Sequence, residues 1–181
     1  VAGCLNPYEE AGYEKMIEVA VSDDLEIIVS NTTEAGIQYD PSCQKDDCPP
    51  ASFPAKLTQV LYRRYQAGKS GIIMLACELI DNNGKELLKC VNQYIEQWGL
   101  EDGFKKYVNE DCTFCGSLVD RIVPGRIRDA EEVKALDAKN GYEDPLTDVG
   151  EVFGVWVIEG DEKLNDVLPF KKAGLMDKVF V

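Results

Sequence analysis

Two apolar segments, each followed by a cluster of polar residues, dominate the pattern of the chain. The first, residues 25–29, is rich in β-branched residues and leads into SNTTEAG at residues 30–36. The second, residues 71–77, leads into ELIDNNG at residues 78–84. Continuous apolar runs of this length are typical of buried parallel strands. Because ligands bind at the carboxyl edge of open α/β sheets, both polar clusters are candidate site segments.

Apolar residues at helical spacing predict helices around these two strands. The predicted helices cover residues 8–20, residues 54–67 and a long stretch from Asn82 or Asn83 to Trp98. Ser52 is the predicted N-cap of the second helix, and Asn82 or Asn83 caps the third, which Gly99 ends. A strand, a helix and a second strand joined by a right-handed crossover form the expected unit.

The C-terminal half predicts further strands with less helix between them. Strands are expected at residues 113–123 and 153–158, a short helix at 101–109, and one or two helical turns at 131–138. The final apolar residues, 179–181, resemble a shortened strand. The predicted fold class is therefore α/β, with a mostly parallel sheet flanked by helices and extra strands near the C-terminus.

Composition narrows the function classes. The 181 residues suit one domain, and a net charge of −14 argues against nucleic acid or an anionic membrane as partner. The chain has no histidine, which excludes Ser-His and Cys-His mechanisms within it. Seven scattered cysteines predict reduced thiols and a cytoplasmic protein. No apolar run approaches the ~18 residues that a membrane span needs.

Two cysteine spacings are candidate sites of other kinds. The composition of residues 37–50 predicts an exposed, mobile loop. A metal site built from Cys43, Asp46 and Cys48 is the less favoured alternative, because the two-residue spacing of zinc knuckles is absent. The Cys112-x-x-Cys115 spacing suggests a redox pair. It stands at a strand entrance and not at a helix N-terminus, so we do not favour that function.

Basic residues interrupt the acidic chain on the second predicted helix. Lys56, Arg63 and Arg64 lie close together there. A solvated helix face is the favoured interpretation, and a phosphate-binding patch is the alternative.

Four motifs carry a resemblance to a known family: SNTTEAG (30–36), PASFPAKLT (50–58), CELIDNNG (77–84) and LVDRIVPG (118–125). Their composition and order resemble consecutive motifs of the mannitol dehydrogenase family, and the similarity covers nearly the whole chain. Within that family they are most similar to the branch that interconverts tagaturonate and altronate. The resemblance implies an NAD-dependent, metal-free dehydrogenase acting on a small sugar acid.

The resemblance also implies that other parts of such an enzyme are encoded elsewhere. Family members combine a Rossmann-type domain, with a glycine-rich turn, and a mostly helical domain with a KxxxxNxxH catalytic pattern. Neither GxGxxG nor KxxxxNxxH occurs in these 181 residues, and the segment around Lys171 and Lys172 does not match the second. We therefore expect residues 1–181 to be a partial Rossmann-type domain whose partner is the remainder of its own polypeptide.

Site residues follow from the same resemblance. Ser30, Asn31, Thr32, Thr33 and Glu34 match the cofactor-side loop and are expected to approach the nicotinamide ribose and pyrophosphate of NAD.

The substrate side is expected at two other motifs. Glu78 is a candidate substrate ligand, although Leu79 replaces the asparagine that donates to the reacting oxygen in polyol-oxidising relatives. Asp120 is the candidate catalytic residue on the substrate side, and Arg121 suits the carboxylate of a sugar acid. A structural Asp120–Arg121 pair is the alternative.

Three alternative functions remain open from the sequence. Fructuronate reductase and mannitol 2-dehydrogenase belong to the same family and share the expected chemistry. A non-catalytic α/β domain that only binds a ligand or partner is the alternative from a different class.

Overall fold

The computed structural model describes residues 5–160 and 164–181. Its helices are α1 (Glu10–Ala20), α2 (Phe53–Gln66), α3 (Asn83–Gln97), α4 (Asp102–Lys106), α5 (Ala130–Asn140) and α6 (Leu164–Val167). Its strands are β1 (Ile27–Ser30), β2 (Ile73–Ala76), β3 (Thr113–Asp120), β4 (Val155–Glu159) and β5 (Val179–Phe180). A π-helical segment, Tyr107–Asp111, continues α4.

The five strands form one sheet in the order β1-β2-β3-β4-β5. Strands β1, β2 and β3 run parallel, β4 is antiparallel to β3, and β5 is parallel to β4. The first three residues of β3 pair with β2, whereas its last five pair with β4. The expected α/β fold, mostly parallel with extra strands near the C-terminus, is confirmed.

Strand β2 is buried on both faces of the sheet. Met74 and Ala76 join the core beneath α2 and α3, while Leu75 and Cys77 join a second core on the other face of the sheet. This two-sided burial explains why the run at 71–77 is apolar without alternation.

Helices α2 and α3 both begin where the sequence predicts, but only α2 has the expected side-chain cap at its N-cap residue. The Ser52 Oγ accepts a hydrogen bond from the Ala55 amide at 3.2 Å, which satisfies one free amide of the first turn. Asn82 occupies the N-cap position of α3 in a left-handed conformation and makes no side-chain cap. The Asn83 Oδ1 accepts from the Gly84 amide in the first turn, and the same side chain also bonds to β3 and to the end of β2. The predicted N-cap position is therefore confirmed at Asn82, but the Asn82 side chain does not cap the helix.

The segment 37–50, predicted to be an exposed loop, has half of its residues exposed but is packed against the fold at buried positions that include Cys43. Cys43 is 1% exposed, and its carbonyl oxygen accepts from the Trp98 indole at 3.1 Å. The Tyr39 ring lies against Tyr94, with centroids 4.9 Å apart. Aromatic burial against α3 orders this polar stretch. Within the described residues, no group of three potential ligands is arranged to hold a metal.

The expected solvated face of α2 is also corrected. Arg64 is 3% exposed, and its guanidinium donates to the carbonyl oxygens of Ala20, Ser22 and Ser70. Lys56 is buried and donates from Nζ to the Ala51 carbonyl at 3.0 Å. Of the three basic residues, Arg63 alone is exposed as predicted.

The connection between β3 and β4 is an open excursion. Strand β3 ends at Asp120, three residues earlier than predicted, and α5 makes 11 residues, longer than the one or two turns expected. No residue from 117 to 157 is buried. Across the part of the chain that the structure describes, no helix has the length and apolar character needed to cross a membrane.

Candidate functional site

The two predicted polar clusters meet at the carboxyl edge of the sheet. Ser30, at the end of β1, lies beside Ala76, at the end of β2. The Cys77 amide then donates to the Ser30 carbonyl at 2.8 Å, which extends the pairing by one residue. The loops that follow the two strands therefore begin side by side, because paired parallel strands end at the same edge of the sheet.

Glu78 joins the two loops from the inside. Its side chain is 1% exposed, and its Oε2 accepts from the Ser30 hydroxyl at 3.0 Å. Its Oε1 accepts from the Thr32 amide at 3.1 Å and from the Thr32 hydroxyl at 2.9 Å. Both carboxylate oxygens are thus occupied by protein donors. The Glu78 side chain therefore points into the loop and is not placed for the direct substrate contact that the sequence suggests.

Asn83 joins the end of β2 to β3. It is 2% exposed, and its Nδ2 donates to the carbonyl oxygens of Glu78 at 2.9 Å and Ser117 at 2.7 Å. Its Oδ1 accepts from the amides of Ser117 at 3.0 Å and Gly84 at 2.8 Å. Both amide donors and both acceptor positions are satisfied. We call Ser30, Thr32, Glu78, Asn83 and Ser117 together the polar clamp.

The remaining residues of the first loop point away from the clamp. Asn31, Thr33 and Glu34, with Ala35 and Leu79, line an open groove of about 440 Å³. Thr33 has φ +97°, a conformation that is strained for a β-branched residue. Of the five residues predicted to bind cofactor, two therefore anchor the loop and three face the groove.

The loop closes on Gly36, where a side chain would not fit. A Cβ built there would lie 1.9 Å from the Thr32 hydroxyl oxygen. That hydroxyl is held in place by Glu78, so the glycine and the clamp determine the loop shape together.

The groove offers hydrogen-bonding groups and no positive charge among its lining residues. An amide, a hydroxyl and a carboxylate suit a ligand rich in hydroxyl groups, such as a ribose, better than a phosphate. A larger groove of about 500 Å³ lies elsewhere, between α1, α2 and residues 45–48. It contains none of the residues predicted to bind cofactor or substrate.

Asp120 and Arg121 stand apart from this groove. Pairing of β3 with β2 ends at Cys115, so Asp120 lies five residues, or about 16 Å, further along the strand. Both side chains are exposed, and the Arg121 Nε donates to the Glu151 carbonyl at 2.9 Å. Within the described residues no ion pair joins Asp120 to Arg121. The alternative of a structural pair is therefore not supported.

Cysteines near the site are protected thiols. Burial raises the pKa of Cys77, more than the hydrogen bond from Ser117 lowers it. Burial likewise raises the pKa values of Cys112 and Cys115. Thiols that stay protonated are poor nucleophiles, which argues against the Cys112–Cys115 redox pair.

Sequence reasoning missed the clamp residues Asn83 and Ser117. The available signal was Gly84, because a glycine inside a predicted helix often has a packing reason such as a close backbone approach. A Cβ at Gly84 would lie 2.6 Å from the backbone of Cys115 and Gly116. Gly116, which precedes Ser117 within β3, is the matching signal, because a Cβ there would lie 3.1 Å from the Asn83 Oδ1.

Comparison with known proteins gives a consistent result. The family model described as the Mannitol dehydrogenase Rossmann domain matches residues 3–172. An altronate oxidoreductase from Bacillus subtilis (strain 168) is 47% identical over 171 residues, covering 92% of this chain and 35% of that protein. An altronate oxidoreductase from Phocaeicola vulgatus is 40% identical, covering 97% and 36%.

Solved structures agree on the fold. A substrate-free D-sorbitol dehydrogenase superposes with a TM-score of 0.67 at 24% identity, over 94% of this chain and 36% of that one. Pseudomonas fluorescens mannitol 2-dehydrogenase, in a ternary complex with NAD and D-mannitol, gives a TM-score of 0.66 at 18% identity over the same shares. The chain spans about a third of the length of these relatives.

Proposed function

Because this chain belongs to the mannitol dehydrogenase family, we propose that it forms part of an NAD-dependent oxidoreductase that interconverts tagaturonate and altronate. The altronate oxidoreductases at 40–47% identity support this choice of substrate. Since the chain covers about 35% of their length, the activity belongs to the complete protein.

The groove at the ends of β1 and β2 is the observation that carries the proposal. Asn31, Thr33 and Glu34 line it at the sheet edge where open α/β folds bind ligands. Glu34 suits a sugar hydroxyl as hydrogen-bond acceptor, and Asn31 and Thr33 supply donors. These groups fit the nicotinamide ribose of NAD, while Ser30 and Thr32 contribute by holding the loop. NAD, when bound, supplies the hydride acceptor or donor.

Asp120 and Arg121 are proposed to lie on the substrate side. The Glu151 carbonyl holds the Arg121 Nε, and the structure assigns no partner to the outer guanidinium nitrogens within the described residues. Those nitrogens suit the carboxylate of a sugar acid, which a planar fork binds at two points. Asp120 would accept a hydrogen bond from a substrate hydroxyl and orient the reacting carbon.

Proton transfer at the reacting oxygen is assigned to a residue outside this chain. The chain has no histidine, and no lysine in it matches the family's catalytic pattern. The partner in catalysis is therefore the remainder of the polypeptide. The six described cysteines are free thiols, five of them buried, which suits the proposed cytoplasmic location.

The test is an NADH-oxidation assay of the complete protein with tagaturonate, fructuronate and fructose in parallel. We expect loss of nicotinamide absorbance with tagaturonate at a much higher kcat/KM than with the other two. A preference for fructuronate or fructose would reject the substrate and keep the reaction class. No turnover of any of them, with NAD still bound, would favour a non-catalytic binding domain.

A further inference from the structure

We infer that Glu78 and Asn83 are positioning residues for the reaction, because the polar clamp holds the groove loop and strand β3 in a fixed relation. Neither side chain is more than 2% exposed, so neither touches a bound ligand in this geometry. They act through the loop that carries Asn31, Thr33 and Glu34 and through the strand that carries Asp120. This inference rests on the proposed function of the groove.

The Glu78 half of the clamp shapes the groove loop. Three donors from Ser30 and Thr32 converge on one buried carboxylate at 2.9 to 3.1 Å. The next residue, Thr33, has φ +97°. A strained backbone of this kind persists only where its surroundings impose it. The bonds that Glu78 accepts from Thr32 hold the residue before Thr33, and the Gly36 amide, which donates to the Thr33 carbonyl at 2.9 Å, holds the turn after it.

The Asn83 half holds β3 on its β2 side, where pairing with β2 has ended and pairing with β4 continues. Backbone pairing between β2 and β3 ends at Leu75 and Cys115. Two residues later, the Asn83 amide takes both the amide and the carbonyl of Ser117, in the way that a neighbouring strand would. The Ser117 hydroxyl adds a bond to the Ala76 carbonyl at 2.6 Å. The direction of β3 beyond this point, toward Asp120, is therefore set by β4 on one side and by Asn83 on the other.

Because Asn83 also donates to the Glu78 carbonyl, the two halves share one backbone segment. A hydrogen-bonded path runs from Thr32 through Glu78 and Asn83 to Ser117. The path links the proposed cofactor loop to the strand of the proposed substrate residues.

The test uses Glu78→Ala, Glu78→Gln and Asn83→Ala in the complete protein, with NAD and tagaturonate. We expect Glu78→Ala to raise the KM for NAD by about ten- to a hundredfold, because small displacements of positioned groups have effects of that size. Glu78→Gln should stay near the wild-type KM, since its amide oxygen accepts from Thr32 and its NH₂ donates to the Ser30 hydroxyl. Asn83→Ala should lower kcat at saturating NAD. Glu132→Ala, an exposed acid on α5, is the matched control and should change neither value.

Two further variants keep the test decisive if Glu78→Ala does not fold. Ser30→Ala and Thr32→Val each remove one hydroxyl donor to Glu78, and each should raise the KM for NAD by a smaller factor. Faster hydrogen exchange of residues 31–36 in these variants would support the same conclusion.

Different outcomes would contradict the role of the polar clamp and the proposed function. An active wild type whose KM for NAD is unchanged in Glu78→Ala, Ser30→Ala and Thr32→Val would overturn the inference. So would a Glu78→Gln variant as impaired as Glu78→Ala, because charge and not hydrogen bonding would then be responsible. A wild type that neither binds NAD nor oxidises NADH would overturn the proposed function instead.

Discussion

Arg64 and Arg63 are adjacent on α2 but should differ sharply in their contribution to stability. Arg64 is 3% exposed and donates to carbonyl oxygens of Ala20 at 2.5 Å, Ser22 at 3.2 Å and Ser70 at 3.3 Å. Arg63 is exposed and reaches only the Gln66 side chain at 3.4 Å. The same substitution at the two positions therefore compares a buried anchor with a solvated side chain.

The expected magnitude follows from these bonds. A hydrogen bond from a charged group contributes about 1.5–3 kcal/mol, and the loss of Arg64 leaves three carbonyls without their donor. Two of the bonds are long, and the buried Nε has no partner among the described residues. We therefore expect Arg64→Ala to lower the free energy of unfolding by about 3–5 kcal/mol. Arg63→Ala should change it by less than about 0.5 kcal/mol.

Urea denaturation followed by tryptophan fluorescence measures both values. For a chain of this size the Arg64→Ala loss corresponds to a fall in Tm of roughly 6–20 °C. Arg64→Lys should give an intermediate loss, because one ammonium group does not reach three carbonyls in fixed directions. Equal losses in Arg63→Ala and Arg64→Ala would refute the claim that Arg64 is a buried anchor.

Four other predictions address the site, the thiols and the pH dependence. In the complete protein, Asp120→Asn should lower kcat more than it raises the Kd for NAD; unchanged turnover would remove Asp120 from the site. Calorimetry of residues 1–181 should give weak NAD binding, since the chain has no GxGxxG turn for the pyrophosphate, and micromolar affinity would contradict this. Iodoacetamide at neutral pH should label the exposed Cys48 first among the described cysteines and Cys77 far more slowly, which peptide mass spectrometry measures. Burial raises the pKa of Tyr107 to about 12, so the folded state keeps that proton to a higher pH than the unfolded state, and the free energy of unfolding should fall from pH 10 to 12. Tyr107→Phe should reduce the fall of the urea midpoint over this pH range. An identical slope in the variant and the wild type would argue against this role of Tyr107.

Most of the sheet could be predicted because its signals are local. The runs at 25–29 and 71–77 are apolar because β1 and β2 lie between helices and a second core, and their polar ends mark the carboxyl edge. The Ser52 cap and the ends of α2 and α3 likewise follow from short motifs. The location of the groove followed from the parallel order of the strands alone.

The corrections at Arg64 and at residues 37–50 depend on contacts between distant segments. Arg64 is buried because carbonyls more than 40 residues away, at the end of α1 and just after it, accept from its guanidinium. Residues 37–50 are ordered because Cys43 and Tyr39 meet the aromatic side chains of α3. No local pattern specifies either arrangement.

The orientation of the site residues was equally hidden. Which loop residues face Glu78 and which face the groove is determined by the positive φ of Thr33 and by the lack of a side chain at Gly36. From the sequence motif alone, all five loop residues are equal candidates for binding the cofactor. Only the folded chain separates the anchors, Ser30 and Thr32, from the groove residues.

A crystal structure of the complete protein with NAD bound would show whether the groove at the ends of β1 and β2 is the ribose site. We expect hydroxyl groups of the nicotinamide ribose within hydrogen-bond distance of Asn31, Thr33 or Glu34, with the Glu78 carboxylate still bonded to Ser30 and Thr32. NAD seated elsewhere, with the groove at the ends of β1 and β2 filled by solvent alone, would contradict it.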